Sequence, residues 1–217
     1  MTAAELGSRF DLELDALASG VAPGFLNTEK SQLLTKAQDE LIQAFVQARD
    51  YKSIYTIVEQ KRIASLSADS NYTGKTYYIQ LASEIPNFRY FISARVQVNR
   101  STPTLTGSKV NCELIGRGEM YRFLETGFNK PYFKYPKVVL EYNESSSENR
   151  LYVVLDYYTS SPSNLEVSYV RIPADIDIDG NITSELPEFL HKDIVSMAVQ
   201  EAVKSLYISK IPQGGEK

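Results

Sequence analysis

Between positions 28 and 49 apolar residues recur every three or four places, with Leu33, Leu34, Ala37, Leu41, Ala44, Phe45 and Ala48 on one side of a helix. Asn27 or Thr28 stands where a helix start takes its cap. Ile54, Ile57 and Val58 repeat the spacing and extend the helical reading to about Ala64, so helix is expected over 28–66. After Ser67 the period changes to β-branched and aromatic runs broken by Pro, Gly, Asn and Ser. Strands are expected at Tyr77 to Leu81, Tyr90 to Val98, Lys109 to Ile115, Lys137 to Tyr142, Leu151 to Tyr158 and Leu165 to Ile172. In the second of these, Tyr90, Ile92, Ala94, Val96 and Val98 make a dry face. Phe91, Ser93, Arg95 and Gln97 make a wet one. Glu119 to Thr126 reads as a short helix, and the polar stretch Asn143 to Arg150 reads as a hairpin loop with a mobile tip. From Pro187 the helical period returns through Leu190, Ile194, Met197 or Ala198, Ala202 and Leu206.

These elements predict an α+β fold with the terminal helices packed together and a central antiparallel β-rich region. Residues 1–24 read as an N-terminal arm and 25–211 as one domain. That domain holds the β-rich region over 77–182 and the closing helix over 187–207, before a flexible tail at 212–217.

A chain of 217 residues buries a core without disulfide staples, and its single cysteine, Cys112, reads as a small buried hydrophobe of a reducing compartment. The N-terminus lacks the basic start and apolar run of a secretory signal. Apolar stretches such as Leu151 to Leu155 fall far short of the roughly 20 residues that a bilayer needs. With 23 basic and 27 acidic residues the net charge is −4, which removes any global attraction to nucleic acid or anionic lipid. Fifteen Tyr and nine Phe suit strands and protein contacts.

Asp175, Asp177, Asp179, Gly180 and Ile182 match the opening of a calcium-binding helix-loop-helix loop. The twelfth position, which needs a bidentate Glu, is Leu186, and the segment leading in reads as a strand. An Asp-Gly turn closing a small hairpin is the preferred reading, with the carboxylates in water. His191 is the one histidine and reads as a boundary residue between core and solvent, without a Ser or Cys motif beside it. Gly116-Arg117-Gly118 lacks the Lys-Ser/Thr ending of a phosphate loop and reads as a turn. The Asn-x-Ser/Thr triplets at Asn71, Asn99, Asn143 and Asn181 read as coincidences of a polar composition. The run from Phe128 to Lys137 interleaves Lys130, Tyr132, Phe133, Lys134 and Tyr135 between Pro131 and Pro136. A rigid extended segment of this kind is suited to gripping a protein first and nucleic acid second.

Several stretches together resemble the virion ring or connector proteins of crAss-like tailed phages, over most of the chain. They are Glu5-Leu6-Gly7-Ser8-Arg9-Phe10-Asp11, Ala22-Pro23-Gly24, and Leu33 to Ile42 with its Ala37-Gln38 pair. Asn129-Lys130-Pro131 with Pro136, Pro173, and Glu185 to Val195 complete the set. The resemblance implies a non-enzymatic structural protein of the portal-tail connector, without a cofactor, that forms a cyclic homo-oligomer of twelve copies. The implied partners are the portal protein, other tail or ring proteins, and DNA that passes through the channel without sequence-specific binding; no membrane is involved. The implied location is the virion, after synthesis in the host bacterial cytoplasm. Phe10, Leu12, Lys130, Tyr132, Phe133 and Tyr135 are then the candidate partner contacts. Phe10, Leu12, Leu14 and Leu17 fit equally a helix docked on its own core. The alternative function is a calcium-dependent binding or adhesion module using Asp175 to Asp179, and a hydrolase ranks third for want of a site.

Overall fold

A computed structural model describes residues 1–17, 24–69, 75–101, 104–125, 131–132, 134–143, 148–156 and 162–209 of the chain. The tail at 212–217 and the loop tip at 144–147 lie outside the described residues. In chain order the elements are α1 (Ala3–Leu17), α2 (Asn27–Ala48), β1 (Val58–Ile63), β2 (Ser67–Ala68), β3 (Lys75–Gln80), α3 (Leu81–Glu84), β4 (Phe88–Ser101), β5 (Thr104–Leu114), α4 (Arg117–Glu125), β6 (Lys137–Asn143), β7 (Glu148–Leu155), β8 (Asn164–Arg171) and α5 (His191–Ser209). The fold is α+β. Residues expected as one domain form two compact units, Met1–Ile57 with Pro173–Lys217 and Val58–Ile172.

In the first unit α1, α2 and α5 pack together. Thr2 and Glu5 close the start of α1 reciprocally: the Thr2 N–H donates to Glu5 Oε2 at 2.8 Å and the Glu5 N–H to Thr2 Oγ1 at 3.2 Å. The buried stripe of α1 is Ala3, Leu6, Gly7, Phe10 and Leu14, a helical spacing that turns one face to the other helices. The expected arm therefore contributes a docked helix.

Neither Asn27 nor Thr28 caps α2. The cap is Leu26, whose N–H donates to the Glu29 carboxylate at 2.8 Å, while the Asn27 amide donates to Asp179 at 2.7 Å. The helix ends at Arg49 in the left-handed region (φ 56°), where the Asp50 N–H returns to the Phe45 carbonyl at 2.9 Å. The helix expected to continue through Ile54, Ile57 and Val58 to Ala64 is thus corrected. Ile54 and Ile57 are buried around a 3₁₀ turn at Tyr55–Ile57, and Val58 opens a strand.

Ser31, Thr35 and Gln38 form a polar stripe on α2 that holds the segment between Ala174 and Leu186 through its backbone. Ser31 Oγ accepts the Ile178 N–H at 3.0 Å and Thr35 Oγ1 the Ile176 N–H at 3.0 Å. Gln38, fully buried, donates to the Ala174 carbonyl at 3.2 Å and accepts from Ser184 Oγ at 2.6 Å. Ser184 Oγ in turn accepts the Leu186 N–H at 3.2 Å. A segment that forms no regular strand thus meets part of its backbone hydrogen bonding on helix side chains.

The second unit is an eight-stranded sheet in the order β1-β8-β4-β5-β6-β7-β3-β2. Every pairing is antiparallel except β5 with β6, which run parallel through Glu113↔Lys137 and Leu114↔Val138. One face carries the main core, to which β4 gives Ala94, Val96 and Val98, β7 gives Leu151, Val153 and Leu155, and β8 gives Leu165, Val167 and Tyr169. The other face carries a smaller cluster in which Met120 of α4 covers Val139, Tyr152 and Val154. The expected alternation along β4 holds from Ser93 to Val98 and fails before it. Register shifts between Phe88 and Tyr90 and between Phe91 and Ser93 bring Phe88 and Phe91 onto the core. Each added residue reverses the faces, so Phe91 leaves the wet side where strict alternation places it.

Candidate functional site

Asp175, Asp177 and Asp179 lie on an exposed turn of the first unit whose buried anchor is Ile176. Asp177 and Ile182 exchange both backbone hydrogen bonds, at 2.9 and 2.8 Å, around a four-residue loop. Asn181 takes the left-handed conformation (φ 55°), which Asn tolerates better than most residues. Gly180 is needed for close approach, because a Cβ there would meet Asp177 Oδ2 at 2.5 Å. The Asp177 carboxylate accepts the Asp179 N–H at 3.0 Å, and Asp179 accepts from Asn27. The Asp177 and Asp179 carboxylates serve the turn, and among the described residues no group of three His, Cys, Asp or Glu side chains could hold a metal ion.

His191 is buried rather than at a boundary. Its Nε2 lies 2.9 Å from the Leu186 carbonyl, which only accepts, so this nitrogen carries the proton and Nδ1 faces the Met1 amino group at 3.1 Å. A ring fixed at both nitrogens joins α5 to the segment before it and is not presented to a substrate. Burial pushes the Cys112 thiol up to about 12, against a weaker effect from the Val96 backbone. That is the reverse of what a nucleophile needs.

The surface holds what these groups lack. Around the first unit Leu12 is 71% and Phe189 63% exposed, and Leu26 also faces solvent. Leu12 belongs to a shallow groove along α1 with Met1, Ala4, Glu5, Ser8 and Arg9, bordered by Glu188. In the second unit Tyr132 and Tyr135 are 57% and 59% exposed, with ring centroids 6.2 Å apart, and the Tyr135 N–H donates to the Tyr132 carbonyl at 2.8 Å. Leu140 and Tyr142, two residues apart on β6, extend the core-side row of that strand beyond the buried part.

Of the expected partner contacts, Leu12, Tyr132 and Tyr135 are thus on the surface. Phe10 is a correction: it is wholly buried and meets Phe25 edge-on at 5.9 Å, so it fills the subunit's own core. Lys130 and Phe133 lie outside the described residues. Sequence reasoning missed Leu26, Phe189, Leu140 and Tyr142: Leu26 is the cap before α2, Phe189 lies in a three-residue turn, and Leu140 and Tyr142 continue the apolar row of Val138 past its buried part, so no local period marks any of them as exposed.

The two units also differ in charge. The first has nine Lys and Arg against sixteen Asp and Glu, and the second fourteen against eleven, so the net −4 divides into −7 and +3.

No helix among the described residues is long and apolar enough to cross a membrane. No curated protein matches the chain. A family model described as phage tail ring protein 3/4 matches residues 1–211 and so takes in both compact units. The chain belongs to this family of crAss-like phage tail ring proteins, and with it to the structural proteins of the virion.

Proposed function

We propose that identical copies of this chain close into a ring of twelve in the portal-tail connector, joining portal to tail and surrounding the channel through which DNA passes. The observation that carries the reading is the exposure of large apolar side chains on both units, beside a polar inventory committed to structure. Leu12 and Phe189 on one unit and Tyr135 and Tyr142 on the other are each more than half exposed. Apolar surface of this kind is characteristic of protein contacts. A head-to-tail contact repeated by a rotation that closes gives a ring, and the geometry is then the activity. A net charge of −4 suits a wall that DNA slides past, since a strongly basic lining would hold the phosphates. The copy number and the portal as neighbour rest on the resemblance to connector proteins. No turnover is required of such a part, and the ring reading assigns none.

The test is to produce the chain with its portal and neighbouring tail proteins and image the product. Twelve-fold rings attached to the portal are expected. A chain that stays monomeric with all of those partners present would contradict the proposal.

A further inference from the structure

Two surfaces of the chain complement each other in shape and in sign. On the first unit, Ala4, Ser8 and Leu12 follow one another at four-residue spacing along the floor of the α1 groove. Ala4 and Ser8 are small, and the Ser8 hydroxyl is already spent on the Ala4 carbonyl at 2.9 Å, so the floor has room for a ring. Its border carries two exposed carboxylates, Glu5 and Glu188, the latter 81% exposed beside its ion pair with the Met1 amino group. The groove has two cations: the Met1 amino group pairs with Glu188 at 3.2 Å, and Arg9 is paired to Glu13 at 3.0 Å. On the second unit, Tyr132 and Tyr135 hold two rings in the open with exposed Lys134 between them, and the buried prolines Pro131 and Pro136 flank the turn.

We infer that the Tyr132–Tyr135 corner of one copy seats in the α1 groove of the next, with the rings on Ala4, Ser8 and Leu12 and Lys134 against Glu5 and Glu188. This rests on the ring reading above and names its contact. The occupant is a second copy because the charge division selects it. First unit against first unit brings −7 to −7, whereas first unit against second brings −7 to +3. Such a contact is head-to-tail, the kind that rings require.

Two full-length variants in a Cys112→Ser background test it, one carrying Leu12→Cys and the other Tyr135→Cys, assembled with the tail partners and treated with a short bismaleimide. Cross-linked pairs are expected in the mixture and lost when either variant is assembled alone, while a chain carrying both cysteines gives a ladder of linked copies. Rings that form without cross-linked pairs overturn the inference and leave the ring reading standing. Linkage within one chain overturns it too, since the groove is then covered by its own subunit, as does Leu12→Cys linked to Leu12→Cys. If the unmodified chain makes no rings with its partners, the ring reading falls and the inference with it. A charge exchange gives a second reading: Lys134→Glu loses ring formation, and adding Glu5→Lys with Glu188→Lys restores it. Failure of that restoration, in variants whose circular dichroism matches the parent, counts against the contact.

Discussion

Gln38 offers a direct measure of how the first unit is held together. Its side chain is fully buried and both ends of the amide are committed, one to the carbonyl of exposed Ala174 and the other to the buried Ser184 hydroxyl. Gln38→Leu keeps much of the volume and leaves both partners without the amide. A buried polar group abandoned in this way, here the Ser184 hydroxyl, costs about 1–3 kcal/mol; the part-buried bond to Ala174 adds less, so a loss near 3 kcal/mol is expected. For a chain of this length that corresponds to roughly 6–12 °C in the unfolding midpoint. Gln38→Ala adds a cavity and should cost more. Because the chain has two units, hydrogen exchange followed segment by segment is the better assay: protection should fall in α2 and between Ala174 and Leu186 and stay unchanged in β4 and β8. A double cycle of Gln38→Ala with Ser184→Ala should show a coupling of about 1–2 kcal/mol, as expected for groups in contact. If Gln38→Leu lies within about 0.5 kcal/mol of the parent, the range of an ordinary surface substitution, the polar stripe does not hold this segment.

Phe10→Ala should destabilise the isolated chain by about 3–5 kcal/mol, whereas Leu12→Asp should leave its denaturation midpoint unchanged and abolish assembly, since one side chain is buried and the other 71% exposed. Cys112 should resist iodoacetamide at pH 8 and react quickly once the chain is unfolded. With the folded thiol pushed up to about 12 by burial, its contribution to stability is present below the unfolded thiol's pKa and is lost as pH rises through the folded value, a loss that alkaline denaturation of Cys112→Ser should lack. Added calcium should leave the melting midpoint within about 1 °C of that in chelator, because binding to the folded state alone would raise it. Gly180→Ala should weaken the same turn, where the new Cβ meets Asp177 Oδ2 at 2.5 Å.

The strands from β3 to β8 were legible because β-branched and aromatic runs between turn residues leave few other readings. Two kinds of feature were not. Ile54, Ile57 and Val58 share a helical spacing, yet the first two finish one unit and the third starts an edge strand whose one deeply buried side chain is Ile63. Spacing over so short a stretch cannot reveal a boundary between units. The bulges in β4 and the parallel pairing of β5 with β6 arise from long-range registry, to which no local pattern points.

The surface was readable in kind and less so in detail. Phe10 and Leu12 look alike in composition, but two residues turn a helix through about 200°. Ala3, Leu6, Phe10 and Leu14 keep one phase and go inside, while Leu12 misses it and faces water; Leu17 keeps the phase but is exposed as the last residue of the helix. Tyr132 and Tyr135, held between two prolines, showed their exposure in the sequence because that run has no alternation that could bury a face. The charge division between units could not be seen before the boundaries at Ile57 and Pro173 were known.

The decisive measurement is the symmetry and copy number of this chain in the intact phage tail, from electron microscopy at a resolution that traces the backbone. A closed ring of twelve identical copies, each with its sheet unit against the helices of the next, is the predicted result. A single copy per tail, or an open filament, would contradict the account at its root.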